Sequence, residues 1–219
     1  MSEKEIINWL LEGDVAIQYQ GQRDLLGVEQ AELQARIASE GWGAKFLSFR
    51  KPEGHWGQGF YQPKWVSSHY SLLDLKYLNI SPNVPEIKEA ILQIAHNNKS
   101  DDGGINPHRD YRLNPQSDMC INGMFLNYGC YFGIDESELK SVVNCLIEHQ
   151  MPDGGYNCRI NRGGAVHSSL HTTISVLEGI LEYAKNGYTY RADELQKIAA
   201  EAREFILAGC RRDKLYYPV

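Results

Sequence analysis

The sequence predicts an all-α fold, an α/α toroid of repeated helical hairpins that stops as an incomplete barrel of about four hairpins. The first observation behind this is a glycine signature that returns at a fixed interval. Ser100-Asp101-Asp102-Gly103-Gly104-Ile105-Asn106 and Met151-Pro152-Asp153-Gly154-Gly155-Tyr156-Asn157 align at a separation of 51 residues and share Asp-Gly-Gly-apolar-Asn. A weaker copy, Lys51-Pro52-Glu53-Gly54-His55-Trp56-Gly57, keeps an acid, one glycine and the aromatic position. The second observation is that segments 85–95 and 138–147, just before the two clear signatures, place apolar residues at i, i+3, i+4 and i+7. The third is that each signature is followed by a mostly polar stretch and then a more apolar helix, over 65–78, 118–132 and 171–183.

A polar-faced helix alternating with a largely apolar one is what two concentric layers require, because inner helices are covered on most sides. The glycine pair lets the chain leave the outer helix through a left-handed conformation. The resulting single domain over 1–219 has repeats at 33–82, 86–135 and 137–187 and a partial one at 192–219. Segment 6–27 reads as a first helix or helix pair, with Asp14 as a cap, and 191–208 as a further outer helix. No inner helix follows 211–219. Closure is therefore expected from a missing C-terminal segment or from a protein partner.

Composition narrows the class. A hydrophobic fraction of 42% and a charged fraction of 23% are those of an ordinary globular chain and exclude disorder. The formal charge of −6 argues against nucleic acid as a partner, since binding its backbone demands clustered Lys and Arg. Residues 1–7 carry acids where a signal peptide would be basic, and no apolar run approaches the roughly 20 residues of a membrane span. The five cysteines, Cys120, Cys130, Cys145, Cys158 and Cys210, are an odd set confined to the second half. Reduced thiols and a cytoplasmic location are the expectation.

An outer helix, Gln or Asn, Asp-Gly-Gly-aromatic and an inner helix at this period resemble the terpenoid cyclase and protein prenyltransferase superfamily. The run Gln150-Met151-Pro152-Asp153-Gly154-Gly155-Tyr156 after Glu148-His149 is similar to its repeat signature, and the likeness covers roughly residues 33–210. The Asp-x-Asp-Asp acid of the alkene-protonating cyclases is lacking. For the transferase branch, the resemblance implies zinc held by Asp118 and Cys120 of Asp118-Met119-Cys120 and by His171 of His171-Thr172-Thr173. It also implies that Arg112 binds a diphosphate leaving group and that the substrate is an isoprenoid diphosphate or similar apolar molecule. The open zinc position would take a substrate thiolate. Cys120 and His171 each lie 16 residues after the second glycine of their repeat, which places a thiol and an imidazole in equivalent slots of successive hairpins. Ile121 and Leu170 depart from the pattern, because the transferases usually carry tyrosines there.

Plainer roles compete. Asp118 suits a helix N-cap, Cys120 a small buried hydrophobe and His171 a hydrogen-bonded core residue. Asp102 and Asp153 fit turn chemistry, His69 a structural role near the same slot, and His167 a loop position or a partner behind a ligand. Loops 108–112 and 159–162 either face one mouth and bind an anion or are solvated. Trp42, Trp56, Trp65, Phe60 and Tyr61 either line a pocket or pack the turns. The alternative functions are a noncatalytic toroid module binding a lipid or protein and, last, an (α/α)-barrel glycosidase with Asp102 and Asp153 as its acid pair.

Overall fold

The computed structural model describes residues 2–107, 116–158 and 164–211, and these are helical with connecting turns; the one β-bridge among them pairs Lys99 with Ile105. The all-α expectation holds at this level. The chain divides into two compact units, Met1–Ala90 and Ile91–Val219.

In the first unit α1 (Glu3–Leu11) opens on a capping box, with the Ser2 hydroxyl taking the Glu5 amide and the Glu5 carboxylate taking the Ser2 amide. Asp14 caps α2 (Val15–Leu26) through the Ala16 amide at 2.9 Å, and its second oxygen takes the Trp42 amide at the start of α4 (Gly41–Ser48). The short α3 (Ala31–Arg36) lies between them in sequence, and α5 (Ser68–Tyr77) closes the unit's helices. Tyr19, Leu33, Ile37, Trp56, Leu72 and Leu75 form the core. The predicted helix over 65–78 starts three residues late because Trp65 has a φ of 73°, outside the helical region.

Helix α6 (Pro85–Asn97) runs from the first unit into the second. The second unit continues with α7 (Met119–Tyr131), α8 (Glu136–Glu148), α9 (Leu170–Lys185) and α10 (Ala192–Arg211). Helix α7 is buried along almost its whole length. By contrast, α8 buries one stripe, Leu139, Val142, Val143 and Leu146, and α10 buries Leu195, Ile198, Ala199 and Ala202. Helices α7 and α9 pair with each other, α8 covers α7 and α10 covers α9. Within this unit the apolar helices α7 and α9 are thus each packed against an amphipathic one. No described helix is long and apolar enough to cross a membrane.

The α7–α9 pairing is unusually close. A Cβ built on Gly123 would lie 2.5 Å from the Ser175 carbonyl oxygen, and one on Gly179 would lie 2.3 Å from the Gly123 carbonyl oxygen. The two backbones touch where neither side can carry a methyl. Gly179→Ala is expected to force the helices apart and cost about 1–3 kcal/mol, with Tm falling about 2–4 °C per kcal/mol. Gly209→Ala, at a helical position with nothing near the added carbon, is the control. It is expected to stabilise by up to about 1 kcal/mol. Equal Tm for the two variants would refute the close crossing.

Candidate functional site

The site is built by the repeat turn, which the structure contains three times. Gly54, Gly103 and Gly154 have φ values of 88°, 79° and 90°, which a side chain would resist. Their amides donate to the carbonyls of Lys51, Ser100 and Met151 at 2.9, 2.9 and 2.8 Å. The amides of those same three residues donate forward to the carbonyls of His55, Gly104 and Gly155 at 2.8, 3.0 and 2.9 Å. Two residues past each glycine stands a fully buried side chain: Trp56, Ile105 or Tyr156. The Trp56 indole donates to the Phe46 carbonyl and the Tyr156 hydroxyl to the Leu146 carbonyl, each ten residues earlier. The weak first signature is thus a true structural copy, and Trp56 packs its turn. Trp42 and Trp65 are exposed, Trp42 under the Lys45 ammonium and Trp65 beside Tyr70.

In the two clear copies a carboxylate ties the turn to the following inner helix. Asp102 accepts the Ser117 amide and hydroxyl at 2.7 and 3.0 Å, the Gly104 amide at 3.0 Å and the Ser100 hydroxyl at 2.5 Å. Asp153 takes the Ser168 amide at 2.8 Å, the Ser168 hydroxyl and the Gly155 amide. The second glycine is needed for this contact, since a Cβ on Gly104 would sit 2.0 Å from the Ser117 hydroxyl and one on Gly155 2.6 Å from the Ser168 Cβ. Where the serine is replaced by Val66 there is no clamp to accommodate, and His55 stands in place of the second glycine. Asp102 and Asp153 are occupied as turn residues, as expected.

The clamp sets where the inner helix begins. Helices α5, α7 and α9 begin at Ser68, Met119 and Leu170, so His69, Cys120 and His171 are all second helical residues, 51 positions apart. The three slots differ in environment. His69 is buried against Phe60, Tyr61 and Tyr70, and burial pushes its pKa down to about 3, so it stays neutral. His171 is exposed at the start of α9. Cys120 is half-buried and meets a residue the repeat comparison missed. Its Sγ lies 2.8 Å from the Sγ of Cys158, in the loop before α9.

Three groups converge on the Cys158 sulfur. The Cys120 backbone N–H donates to it at 3.1 Å, the Thr172 hydroxyl at 3.5 Å, and one proton lies between the two sulfurs. That contact is a thiol–thiol hydrogen bond in which Cys158 donates to Cys120. This hydrogen bond, then burial and the negative charges of Cys158 and Asp118, push the Cys120 thiol up. The same bond holds Cys158 below the usual thiol range, against burial and with help from the Cys120 amide and Thr172. Asp118 is buried at the N-cap position of α7, but its carboxylate makes no capping bond. The Cys120 amide, a natural target for a capping carboxylate, goes to Cys158 instead.

Asp118 and Cys120 therefore share one helix start and one electrostatic neighbourhood, while His171 stands beside Thr172 at the start of the paired helix. Among the described residues no three His, Cys, Asp or Glu side chains are gathered as a metal ion requires. Arg112 and the 108–112 and 159–162 loops lie outside the described residues, apart from the exposed His167 beyond them. Cys158 has no counterpart in the preceding repeat, where Pro107 holds the equivalent position, so register alone could not single it out. Its signal was its place in the loop leading to α9. Cys145, by contrast, is fully buried and its thiol is pushed up to about 12, chiefly by burial.

No protein-family model matches the chain, and no curated protein or solved structure is significantly similar to it.

Burial alone would raise the Asp102 pKa, but the hydrogen bonds from Ser100, Ser117 and Gly104 outweigh it and hold the carboxyl below its ordinary value. A depressed folded-state pKa contributes stability above the unfolded value of about 3.9, and that stability is lost as pH falls through the folded value. Asp102→Asn is expected to cost about 1–3 kcal/mol at pH 7. The gap from the parent chain should close as pH drops below about 4. Denaturant unfolding at pH 7 and pH 3 tests this, and a gap independent of pH would overturn it.

Proposed function

We propose that this chain is a prenyltransferase-like enzyme of α/α-toroid architecture, acting on an isoprenoid diphosphate or similar apolar substrate with zinc at the starts of α7 and α9. The observation that carries the reading is the arrangement at α7: a buried N-cap carboxylate not used for capping, two residues before a thiol that is already paired with a second thiol. Asp118, Cys120 and His171, which the described structure does not gather around one point, would have to converge to hold the ion; their carboxylate, thiolate and imidazole are donors suited to zinc. When bound, zinc keeps a coordinated thiol deprotonated at neutral pH and so supplies a nucleophile.

The chain's own residues do the remaining work in this reading. Cys120, hydrogen-bonded to Cys158 at 2.8 Å, would have to lose its own thiol proton to serve as a ligand. Cys158, with the Cys120 amide and Thr172 hydroxyl aimed at it, receives negative charge beside the centre. Ile174 and Leu181 are exposed on the stripe of α9 that begins at His171, and they offer an apolar wall for the substrate chain. Arg112 binds the departing diphosphate through its guanidinium.

The noncatalytic module draws on the same exposed Ile174 and Leu181, but it calls for Asp118 to cap α7, and that bond is not made. The glycosidase requires Asp102 and Asp153 as free acids, and both are engaged in turns.

Protein purified without chelator is expected to carry about one zinc per chain, and Cys120→Ser and His171→Ala are each expected to lose most of it. Diphosphate release from an isoprenoid diphosphate with a small thiol acceptor should fall in parallel. Elemental analysis finding no zinc in the folded parent chain would overturn the reading.

A further inference from the structure

We infer that Cys120 and Cys158 form a redox-active dithiol that closes reversibly into a disulfide joining the start of α7 to the loop before α9. The geometry carries this. Separated by 38 positions in sequence, the two sulfurs approach to 2.8 Å. A disulfide requires about 2.05 Å. The remaining closure is less than about 1 Å.

The pair is also set apart from its neighbours. Both cysteines are part-exposed, so a small oxidant reaches them, whereas Cys130 and Cys145 are fully buried. Thr172 and the Cys120 amide fix the Cys158 sulfur from two further directions and leave it facing Cys120.

With hydrogen peroxide as oxidant the chemistry balances. The Cys158 sulfur, having given its proton to solvent, attacks one peroxide oxygen; an S–O bond forms, the O–O bond breaks, and the leaving hydroxide takes up a proton to become water. Cys120 then attacks the sulfur of the Cys158 sulfenic acid; the S–S bond forms, the S–O bond breaks, and the Cys120 proton leaves with the hydroxide as a second water. The two cysteines together lose two electrons and the peroxide gains them. A dithiol reductant reverses the change through a mixed disulfide.

Disulfide formation needs no metal. One consequence does rest on the proposed zinc centre: a Cys120 engaged in a disulfide is withdrawn from the ligand set, so peroxide switches that centre off and a thiol reductant restores it.

The reduced full-length chain is treated with stoichiometric hydrogen peroxide, with and without chelator, then alkylated under denaturing conditions and mapped by peptide mass spectrometry. The expected result is a fall from five titratable thiols to three, a cross-linked peptide pair containing Cys120 and Cys158, and full reversal by dithiothreitol. Cys158→Ser and Cys120→Ser should each abolish the cross-link, while Cys145→Ser leaves it intact. Circular dichroism of each serine variant separates loss of the pair from loss of fold. A folded parent chain in which peroxide gives only sulfenic or higher acids, or links other cysteines, overturns the inference. Zinc release is followed in the same samples. A cross-link in a protein that never held zinc sinks the metal reading and leaves the dithiol standing, whereas bound zinc without a cross-link does the reverse.

Discussion

The aspartate clamp between turn and inner helix is the interaction on which the second unit depends. Asp102 reaches from the glycine turn to the amide and hydroxyl of Ser117, and Asp153 does the same with Ser168. Each serine stands two residues before the first helical residue, Met119 or Leu170. A carboxylate that receives an amide and a hydroxyl from one residue fixes that residue's backbone as well as its side chain. The clamp therefore determines the residue at which each inner helix starts. The identity of the second helical residue, Cys120 or His171, follows from that start. The glycines serve the same end: the first supplies the left-handed turn, and the second removes the Cβ that would collide with the serine.

The close crossing of α7 and α9 turns equal register into proximity. Gly123 is four residues past the first residue of α7, and the Ser175 carbonyl it meets is five past that of α9. The helix starts thus lie at the same end, and Cys158 bridges them by accepting from Cys120 on one side and Thr172 on the other. A larger residue at the crossing would separate the same two starts, so packing at Gly123 and Gly179 and chemistry at Cys120 are one constraint. Interiors packed at crystal-like density leave no slack to absorb such a methyl group.

Much of this was legible in the sequence, for identifiable reasons. The outer helices show because their apolar residues recur at helical spacing, and the turns because only glycine suits both the φ and the contact. The equivalence of Cys120 and His171 was legible because the clamp keeps the distance from the turn constant. It was blurred at His69, where the loop between Gly54 and Ser68 is two residues shorter (14 against 16) and the clamp is missing. Trp65 was misplaced into a helix because its left-handed conformation leaves no trace in periodicity. Cys158 was invisible to repeat comparison because its importance comes from tertiary approach, and Pro107 holds its place in the earlier copy.

The capping of α7 is where fold and chemistry meet. A helix N-terminus offers unpaired amides and a partial positive charge, and Asp at the N-cap ordinarily satisfies both. Here the Cys120 amide goes to the Cys158 sulfur, although a sulfur is a weaker acceptor than a carboxylate. Asp118 does not cap the helix, and its charge beside the two thiols opposes their ionisation. The helix terminus and the Thr172 hydroxyl favour a thiolate at Cys158, while Asp118 and burial disfavour it. Ionising both thiols would place two thiolates and a carboxylate together in a half-buried space, so the cluster resists a second negative sulfur. Joining the two sulfurs as a disulfide would relieve that crowding, because a disulfide carries no charge.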